Sequence, residues 1–186
     1  MRIYLIGYSF AGKTTIGRQL AQLLNFQFYD TDKALELKYH STVPLLFQNY
    51  GEQAFRILER KILESTTELD NTVIATGGGA SCSQPNIDFI LHNGVSIHFA
   101  MTIDEIMHRM EHSRKVRPLL LNKTIDEKRL YIAHQMQHRL PFYQQANITV
   151  RAVEATPEYL RDKLEKYTST AFPMPDSASN QEKGVE

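Results

Sequence analysis

Residues 7–14 read Gly7-Tyr8-Ser9-Phe10-Ala11-Gly12-Lys13-Thr14. This segment, called the phosphate loop below, matches G-x-x-x-x-G-K-[ST], a pattern whose backbone N–H groups bind phosphate oxygens. Residues 2–6 before it are rich in β-forming side chains, and apolar residues at helical spacing follow it. The motif requires this order of strand, loop and helix. The sequence therefore predicts a nucleoside triphosphate site, which GTPases, ATP-driven motors and small-molecule kinases share.

Two side chains of the phosphate loop have chemistry of their own. We expect Lys13 to reach the β- and γ-phosphates and the Thr14 hydroxyl to bind Mg²⁺. Phe10 stands where many such loops carry a third glycine. A bulky residue there limits backbone freedom but removes no N–H donor.

Further segments along the chain predict an α/β fold. Short runs of β-forming residues lie at residues 26–29, 72–75, 95–99 and 148–150, with helical periodicity between them. Alternating strands and helices indicate a parallel sheet with helices on both faces. Residues 31–71 hold more helical sequence than one crossover needs, so we expect a small lobe beside the sheet. Residues 112–123 are basic, lack core periodicity and are interpreted as a lid.

Composition and charge exclude several classes of protein. The chain has 186 residues, of which 42% are hydrophobic, and its 21 Lys and Arg balance its 21 Asp and Glu. Zero net charge gives no sign of the field that nucleic-acid or membrane binders carry. No apolar stretch approaches the roughly 18 residues of a membrane span, and the single cysteine, Cys82, forbids an intrachain disulfide. We expect one cytoplasmic domain over residues 1–167 and a disordered tail over residues 168–186.

Polar and glycine-rich segments follow the second and third predicted strands. Asp30 and Asp32 come after the second strand, and residues 77–79 are three glycines after the third. Carboxyl ends of parallel strands face the crevice where ligands bind. One carboxylate is interpreted as supporting Mg²⁺ and the other as accepting a hydrogen bond from a substrate hydroxyl, while the alternative for either is a helix N-cap. The glycines let a ligand approach the backbone, or form only a tight turn.

Two arginines are candidate anion-binding residues. Arg56 lies three residues before Glu59 on a predicted helix, a spacing at which the carboxylate can orient the guanidinium. Arg139 lies near the end of a long helical segment. For each, a solvated surface position is the alternative.

Taken together, six motifs resemble those of shikimate kinases in order and spacing, over residues 1–167. They are the phosphate loop, Asp30-Thr31-Asp32, Gly51-Glu52-Gln53-Ala54-Phe55-Arg56 with Glu59, Gly77-Gly78-Gly79, Arg117-Pro118-Leu119-Leu120 and Arg139-Leu140-Pro141-Phe142-Tyr143. The resemblance implies a three-layer α/β/α fold, similar to nucleoside monophosphate kinases, with a five-stranded parallel sheet in the order 2-3-1-4-5, a substrate lobe and a lid. It also implies ATP-dependent phosphorylation of the shikimate 3-hydroxyl, on the route to chorismate and the aromatic amino acids.

The resemblance also implies roles for single residues. The catalytic residues would be Lys13, Asp32 and Arg117, with Arg117 entering on the lid to neutralise charge on the transferring phosphoryl group. The ATP-binding residues would be Gly7, Ser9, Phe10, Ala11, Gly12, Lys13, Thr14, Thr15 and Arg117. The shikimate-binding residues would be Asp32, Arg56, Gly77, Gly78, Gly79 and Arg139, and Mg²⁺ would be held by Thr14 and Asp30. We expect a monomer with ATP and shikimate as its partners.

Departures and alternatives stay open. Phe10 replaces the small residue usual in the family, and Met110 lies where some members place an arginine against adenine, which affects the expected nucleotide affinity and base preference. Among enzymes, the alternative is a kinase of the same fold that acts on gluconate or a nucleoside monophosphate. Outside enzymes, it is a nucleotide-binding regulator without transfer activity.

Overall fold

The computed structural model describes residues 1–113 and 123–171. Arg117 and most of the predicted lid, residues 112–123, lie outside the described residues, as does the predicted tail from residue 172 onward. Within the described part of the chain, no helix combines the length and apolar character needed to cross a membrane.

Five parallel strands form one sheet. They are β1 (Arg2–Ile6), β2 (Gln27–Asp30), β3 (Thr72–Ala75), β4 (Val95–Ala100) and β5 (Ile148–Arg151). The strand order is β2-β3-β1-β4-β5, and every neighbouring pair is parallel. The predicted α/β fold and its strand order are confirmed.

Helices connect the strands and cover the sheet. They are α1 (Lys13–Leu24), α2 (Thr31–Tyr39), α3 (Val43–Ser65), α4 (Gln84–Asn93), α5 (Ile103–Glu111), α6 (Ile125–Tyr143) and α7 (Pro157–Ala171), with a 3-10 turn at Thr66–Glu68. Residues 3–6 of β1 are completely buried. Leu5 packs against Gly17 of α1, whereas the Tyr4 hydroxyl bonds the Thr66 hydroxyl at 2.8 Å. Because successive strand residues point to opposite faces, these contacts place helices on both sides of the sheet.

The region predicted as a lobe contains α2 and α3, which share a small core of their own. Its buried residues are Leu35, Leu46, Phe55 and Ile62. Gly51 interrupts α3 with a φ of 74°, a left-handed conformation that glycine adopts without steric cost. The interruption changes the direction of the chain within α3, and Arg56 and Glu59 follow it.

The boundary of the predicted tail differs from the structure. Helix α7 continues to Ala171, so residues 168–171 are helical. The side chains of Leu160 and Leu164 anchor the helix in the core, and the Ser169 and Thr170 hydroxyls bond carbonyl oxygens one turn earlier. The lack of apolar residues to bury predicts a disordered tail from residue 168, but residues 168–171 continue α7, stabilised by these side-chain hydrogen bonds.

Gly94, between α4 and β4, should not tolerate a side chain. A Cβ atom there would overlap the Arg2 carbonyl oxygen and would lie 2.9 Å from Cε2 of Tyr4, which is completely buried. We expect Gly94→Ala to lower the free energy of unfolding by about 1–3 kcal/mol, the usual cost of overpacking. Urea denaturation measures the change, and His92→Ala, on the exposed side of the same turn, is the control. Equal stability of both variants would show that the backbone can move apart here.

Candidate active site

The phosphate loop joins β1 to α1 in the expected place. Gly7 and Gly12 have positive φ angles of 134° and 89°, and a Cβ on Gly7 would lie 2.8 Å from the Phe99 carbonyl oxygen. Both positions therefore require glycine. Phe10 has a φ of 69°, a left-handed conformation that is costly for a bulky residue. The loop ends at the N-terminus of α1, whose unpaired N–H groups attract anions.

Arg109 holds the strained part of this loop and was missed from the sequence. Its guanidinium donates to the Phe10 carbonyl oxygen at 3.2 Å and to the Ala152 carbonyl oxygen at 3.1 Å. Met110, the neighbour singled out from the sequence, packs against the core instead. The contact with Phe10 places an arginine at the loop, although one position earlier than the motif comparison indicated.

A cleft of about 290 Å³ lies over the phosphate loop. Its lining includes Ser9, Phe10, Ala11, Gly12, Lys13, Thr14, Thr15, Asp30, Asp32, Thr76, Gly78, Arg109 and Ser113. Lys13 is 7% exposed, and its Nζ donates to the carbonyl oxygens of Gly7 and Tyr8 at 2.7 and 2.8 Å. The structure thus brings the predicted nucleotide-binding residues 9–15 and both aspartates to one opening.

Asp30 makes two hydrogen bonds, one with the phosphate loop and one that caps α2, which confirms the helix cap considered for it. One of its oxygens accepts a hydrogen bond from the Thr14 hydroxyl at 2.8 Å, and the other caps α2 by accepting from the Lys33 N–H at 3.1 Å. Mg²⁺ takes few protein ligands and keeps waters and phosphate oxygens for the rest. A hydroxyl beside one carboxylate fits that ion. No group of three or more His, Cys, Asp or Glu side chains with metal-site geometry occurs in residues 1–113 and 123–171.

Asp32 and Glu59 lie together beside Gly77. A Cβ on Gly77 would lie 2.5 Å from an Asp32 carboxylate oxygen and 3.0 Å from a Glu59 oxygen, so a glycine is needed for this approach. The Gly77 N–H is bonded to the Thr31 hydroxyl at 3.0 Å. Asp32 is thereby held at the carboxyl end of the sheet, next to the glycine loop at residues 77–79.

Both candidate arginines reach this glycine loop. Arg56 donates to Glu59 at 2.7 Å, and its guanidinium lies so close to Gly79 that a Cβ there would be 2.7 Å from Nη1. Arg139 donates to the Gly78 carbonyl oxygen at 3.3 Å. Their guanidinium groups are separated by 83 residues of sequence, yet they contact adjacent glycines. Neither arginine is an isolated surface residue.

Glu59 carries the main electrostatic cost of the site. It is 4% exposed, and burial raises the pKa of its carboxyl although Arg56 acts in the opposite direction. Asp32 adds like charge and raises the pKa further. The ion pair with Arg56 therefore does not fully offset the loss of water around the carboxylate.

Fold and geometry define the class of this protein. The phosphate loop lies next to a hydroxyl and a carboxylate that fit Mg²⁺. Beside them, Asp32 and two arginines surround the glycine loop. These are the parts of a phosphotransferase that acts on a small anionic acceptor. The predicted site residues within the described ranges belong to the phosphate loop or the glycine loop, line the cleft, or, like Arg56 and Arg139, contact the glycine loop. Arg117 lies outside the described residues.

Comparison with known proteins identifies the family. The family model described as Shikimate kinase matches residues 10–168. A shikimate kinase of Bacteroides thetaiotaomicron is 40% identical over 154 residues, which are 83% of this chain and 88% of the relative. One of Parabacteroides distasonis is 38% identical over 81% of this chain and 87% of its own length. The chain belongs to the shikimate kinase family.

Solved structures agree with this assignment. The crystal structure of shikimate kinase from Bacteroides thetaiotaomicron superposes with a TM-score of 0.84 at 37% identity and covers 89% of this chain and 98% of its own. Shikimate kinase from Acinetobacter baumannii in complex with shikimate gives a TM-score of 0.80 at 31% identity, over 93% and 95% of the two chains. A gluconokinase from Sinorhizobium meliloti, at a TM-score of 0.61 and 16% identity over 91% and 93%, shares the fold alone. The activity of this chain is the ATP-dependent phosphorylation of shikimate in aromatic amino acid biosynthesis.

Replacing Glu59 by glutamine should change the pH dependence of stability. Because the folded-state pKa of Glu59 is raised, wild-type stability falls as pH rises from the unfolded-state pKa through the folded-state pKa. Glu59→Gln removes that fall, so the melting temperature of the variant relative to wild type should increase with pH across this window. Thermal unfolding at several pH values measures it, with the exposed Glu68→Gln as control. A constant difference would mean that Arg56 keeps the Glu59 pKa near its usual range.

Proposed function

We propose that the cleft transfers the γ-phosphoryl group of ATP to the 3-hydroxyl of shikimate, with ATP on the phosphate loop and shikimate between Asp32 and the two arginines. The observation that best supports this proposal is the contact between the phosphate loop and the glycine loop. A Cβ on Gly78 would lie 2.7 Å from the Ser9 hydroxyl and 3.1 Å from the Ser9 backbone nitrogen. An acceptor on the glycine loop is therefore next to a phosphate on the phosphate loop, as in-line transfer requires.

The acceptor side of the proposal follows from the chemistry of shikimate. Its carboxylate suits the planar guanidinium groups of Arg56 and Arg139, and its hydroxyls suit Asp32 and the backbone of the glycine loop. The bound shikimate named in the structure of the Acinetobacter baumannii relative supports this assignment. Glu59 keeps the Arg56 guanidinium in one orientation through the 2.7 Å bond.

The transfer step uses the side chains already at the cleft. The 3-hydroxyl oxygen forms a bond to the γ-phosphorus as the bond to the bridging oxygen breaks, and ADP leaves with that electron pair. The hydroxyl proton goes to the Asp32 carboxylate. Lys13 and the N–H groups of the loop meet the negative charge on the phosphates, and Arg117 is assigned the same task on the basis of the family motif.

Thr14 and Asp30 are the residues that would hold Mg²⁺ in this scheme. When bound, the ion would neutralise charge on the phosphate oxygens of ATP. The hydrogen bond between the two side chains keeps the Asp30 carboxylate turned toward the loop.

Four further expectations rest on the sequence alone. They are a monomeric state, a cytoplasmic location, the lid, and the division into a domain at residues 1–167 and a tail.

An ADP-release assay tests the proposed function against its alternatives. We expect turnover with shikimate and none above background with gluconate or nucleoside monophosphates, and phosphorus NMR of the product should locate the ester at the 3-hydroxyl. Lys13→Ala should lower kcat by roughly 10²- to 10³-fold, since about 3–4 kcal/mol of transition-state stabilisation is typical for one such group. Turnover with gluconate alone, or an unchanged rate in Lys13→Ala, would reject the scheme, and no turnover with any acceptor would favour the nucleotide-binding regulator.

Arg56 and Arg60 offer a matched pair for testing the acceptor site. Both lie on α3 and pair with a glutamate at 2.7 Å, but Arg60 bonds Glu64 and the Pro85 carbonyl oxygen outside the cleft. Arg56→Lys retains the charge and loses the paired hydrogen bonds, so we expect the shikimate KM to rise roughly tenfold while the ATP KM changes little. Arg60→Lys should leave both constants unchanged. Equal effects in both variants would show that α3 as a whole, and not its contact with shikimate, had been disturbed.

A further inference from the structure

His98 on β4 is a buried ionisable residue to which phosphoryl transfer assigns no task. Its side chain is 3% exposed, and it lies beside Ile6, the last residue of β1 before the phosphate loop. Its Cδ2 atom would be 3.4 Å from a Cβ on Gly7. One edge of the imidazole therefore borders the first residue of the phosphate loop.

The face of the His98 ring contacts Tyr143, a residue that bonds the glycine loop. It stacks on the ring of Tyr143, with the centroids 5.1 Å apart and an angle of 26° between the planes. Tyr143 is completely buried at the end of α6, and its hydroxyl donates to the Gly78 carbonyl oxygen. Burial holds the pKa of Tyr143 well above its ordinary value, so the hydroxyl keeps its proton and remains a donor.

The same Gly78 carbonyl oxygen accepts the hydrogen bond from Arg139. Tyr143 and Arg139 are four residues apart, at the end of one helix, and they converge on one atom. The position of the Tyr143 ring therefore affects both the glycine loop and the guanidinium assigned to shikimate. His98 is the aromatic neighbour that stacks on that ring.

His98 is neutral at neutral pH, so its ring can pack near Lys13 without charge repulsion. Burial, with a smaller contribution from nearby Lys13, lowers its pKa to about 4, so the ring is neutral at neutral pH. Its Nδ1 has no hydrogen-bond partner among the described residues. A buried polar atom without a partner lowers stability, so stability alone would favour an apolar side chain at this position.

We propose that His98 is a positioning residue for shikimate, because it stacks on Tyr143 and thereby fixes the hydroxyl that holds the Gly78 carbonyl group. The inference rests on the proposed placement of shikimate at Gly78 and Arg139. It assigns His98 an effect on shikimate binding and little effect on the transfer step, since the ring touches no reacting atom.

A double-mutant cycle tests the inference. His98→Leu removes the stack, and Tyr143→Phe removes the hydroxyl but keeps the ring. We expect each to raise the shikimate KM about two- to tenfold, the usual range for losing one aromatic contact or one hydrogen bond, with a smaller change in kcat. The double variant should exceed the larger single effect by less than about twofold, because both residues act through one carbonyl group.

Two further variants separate positioning from general stability. His98→Phe restores a ring and should have a lower shikimate KM than His98→Leu. Ile97→Val changes the opposite face of β4, where the side chain is completely buried, and should lower the melting temperature without altering the shikimate KM. His98→Gln has no ring either and serves, with the same expected KM, if His98→Leu does not fold.

The measurements distinguish an error in the role of His98 from an error in the placement of shikimate. Fold-changes that multiply in the double variant, or a variant without the ring that lowers the melting temperature and leaves the shikimate KM unchanged, would overturn the role of His98. Arg139→Lys is measured in parallel. If Arg139→Lys leaves shikimate binding intact, the placement of shikimate is wrong; if it weakens binding while the His98 cycle is multiplicative, only the inference about His98 is wrong.

Discussion

The pairing of β1 between β3 and β4 is the constraint on which the cleft depends. Leu5 of β1 lies beside Ala75 of β3 and Ile97 of β4, and both pairings are parallel. The three strands consequently end at the same edge of the sheet, which brings the phosphate loop and the glycine loop into contact. Changing the pairing of β1 would require the completely buried residues 3–6 to leave the core.

Two features of the cleft reduce the stability of the folded chain: a buried carboxylate and a strained backbone residue. Burial raises the pKa of the Glu59 carboxyl and so destabilises its ionised form. The same carboxylate nevertheless orients Arg56 beside the glycine loop. Phe10 adopts a left-handed backbone conformation, and Arg109 donates a hydrogen bond to its carbonyl oxygen. These features lower stability locally and fix groups that must meet charge on the substrates, a combination typical of active sites.

Much of the fold and most of the site could be predicted from the sequence, because strand composition, the phosphate-loop pattern and glycine positions are local signals. The contributions of Arg109 and His98 could not, since each depends on how an element is rotated or paired. Burial of Ile106 and Met107 sets the rotation of α5, and that rotation turns Arg109, not Met110, toward the loop. The stack on His98 joins β4 to the end of α6, 45 residues later in the chain, and nothing in the local sequence indicates it.

The two carboxylate oxygens of Asp30 accept different hydrogen bonds, one from the Thr14 hydroxyl and one that caps α2. Any variant at this position therefore changes both contacts. Alanine would remove a capping bond worth about 1 kcal/mol together with the carboxylate, so lost activity would combine weaker metal binding with a frayed start of α2. Helix α2 packs on α3, which carries Arg56, and fraying would therefore reach the acceptor side as well. Serine keeps a capping oxygen without the negative charge, and for this chain it is the substitution that isolates the Mg²⁺-binding role proposed for residue 30.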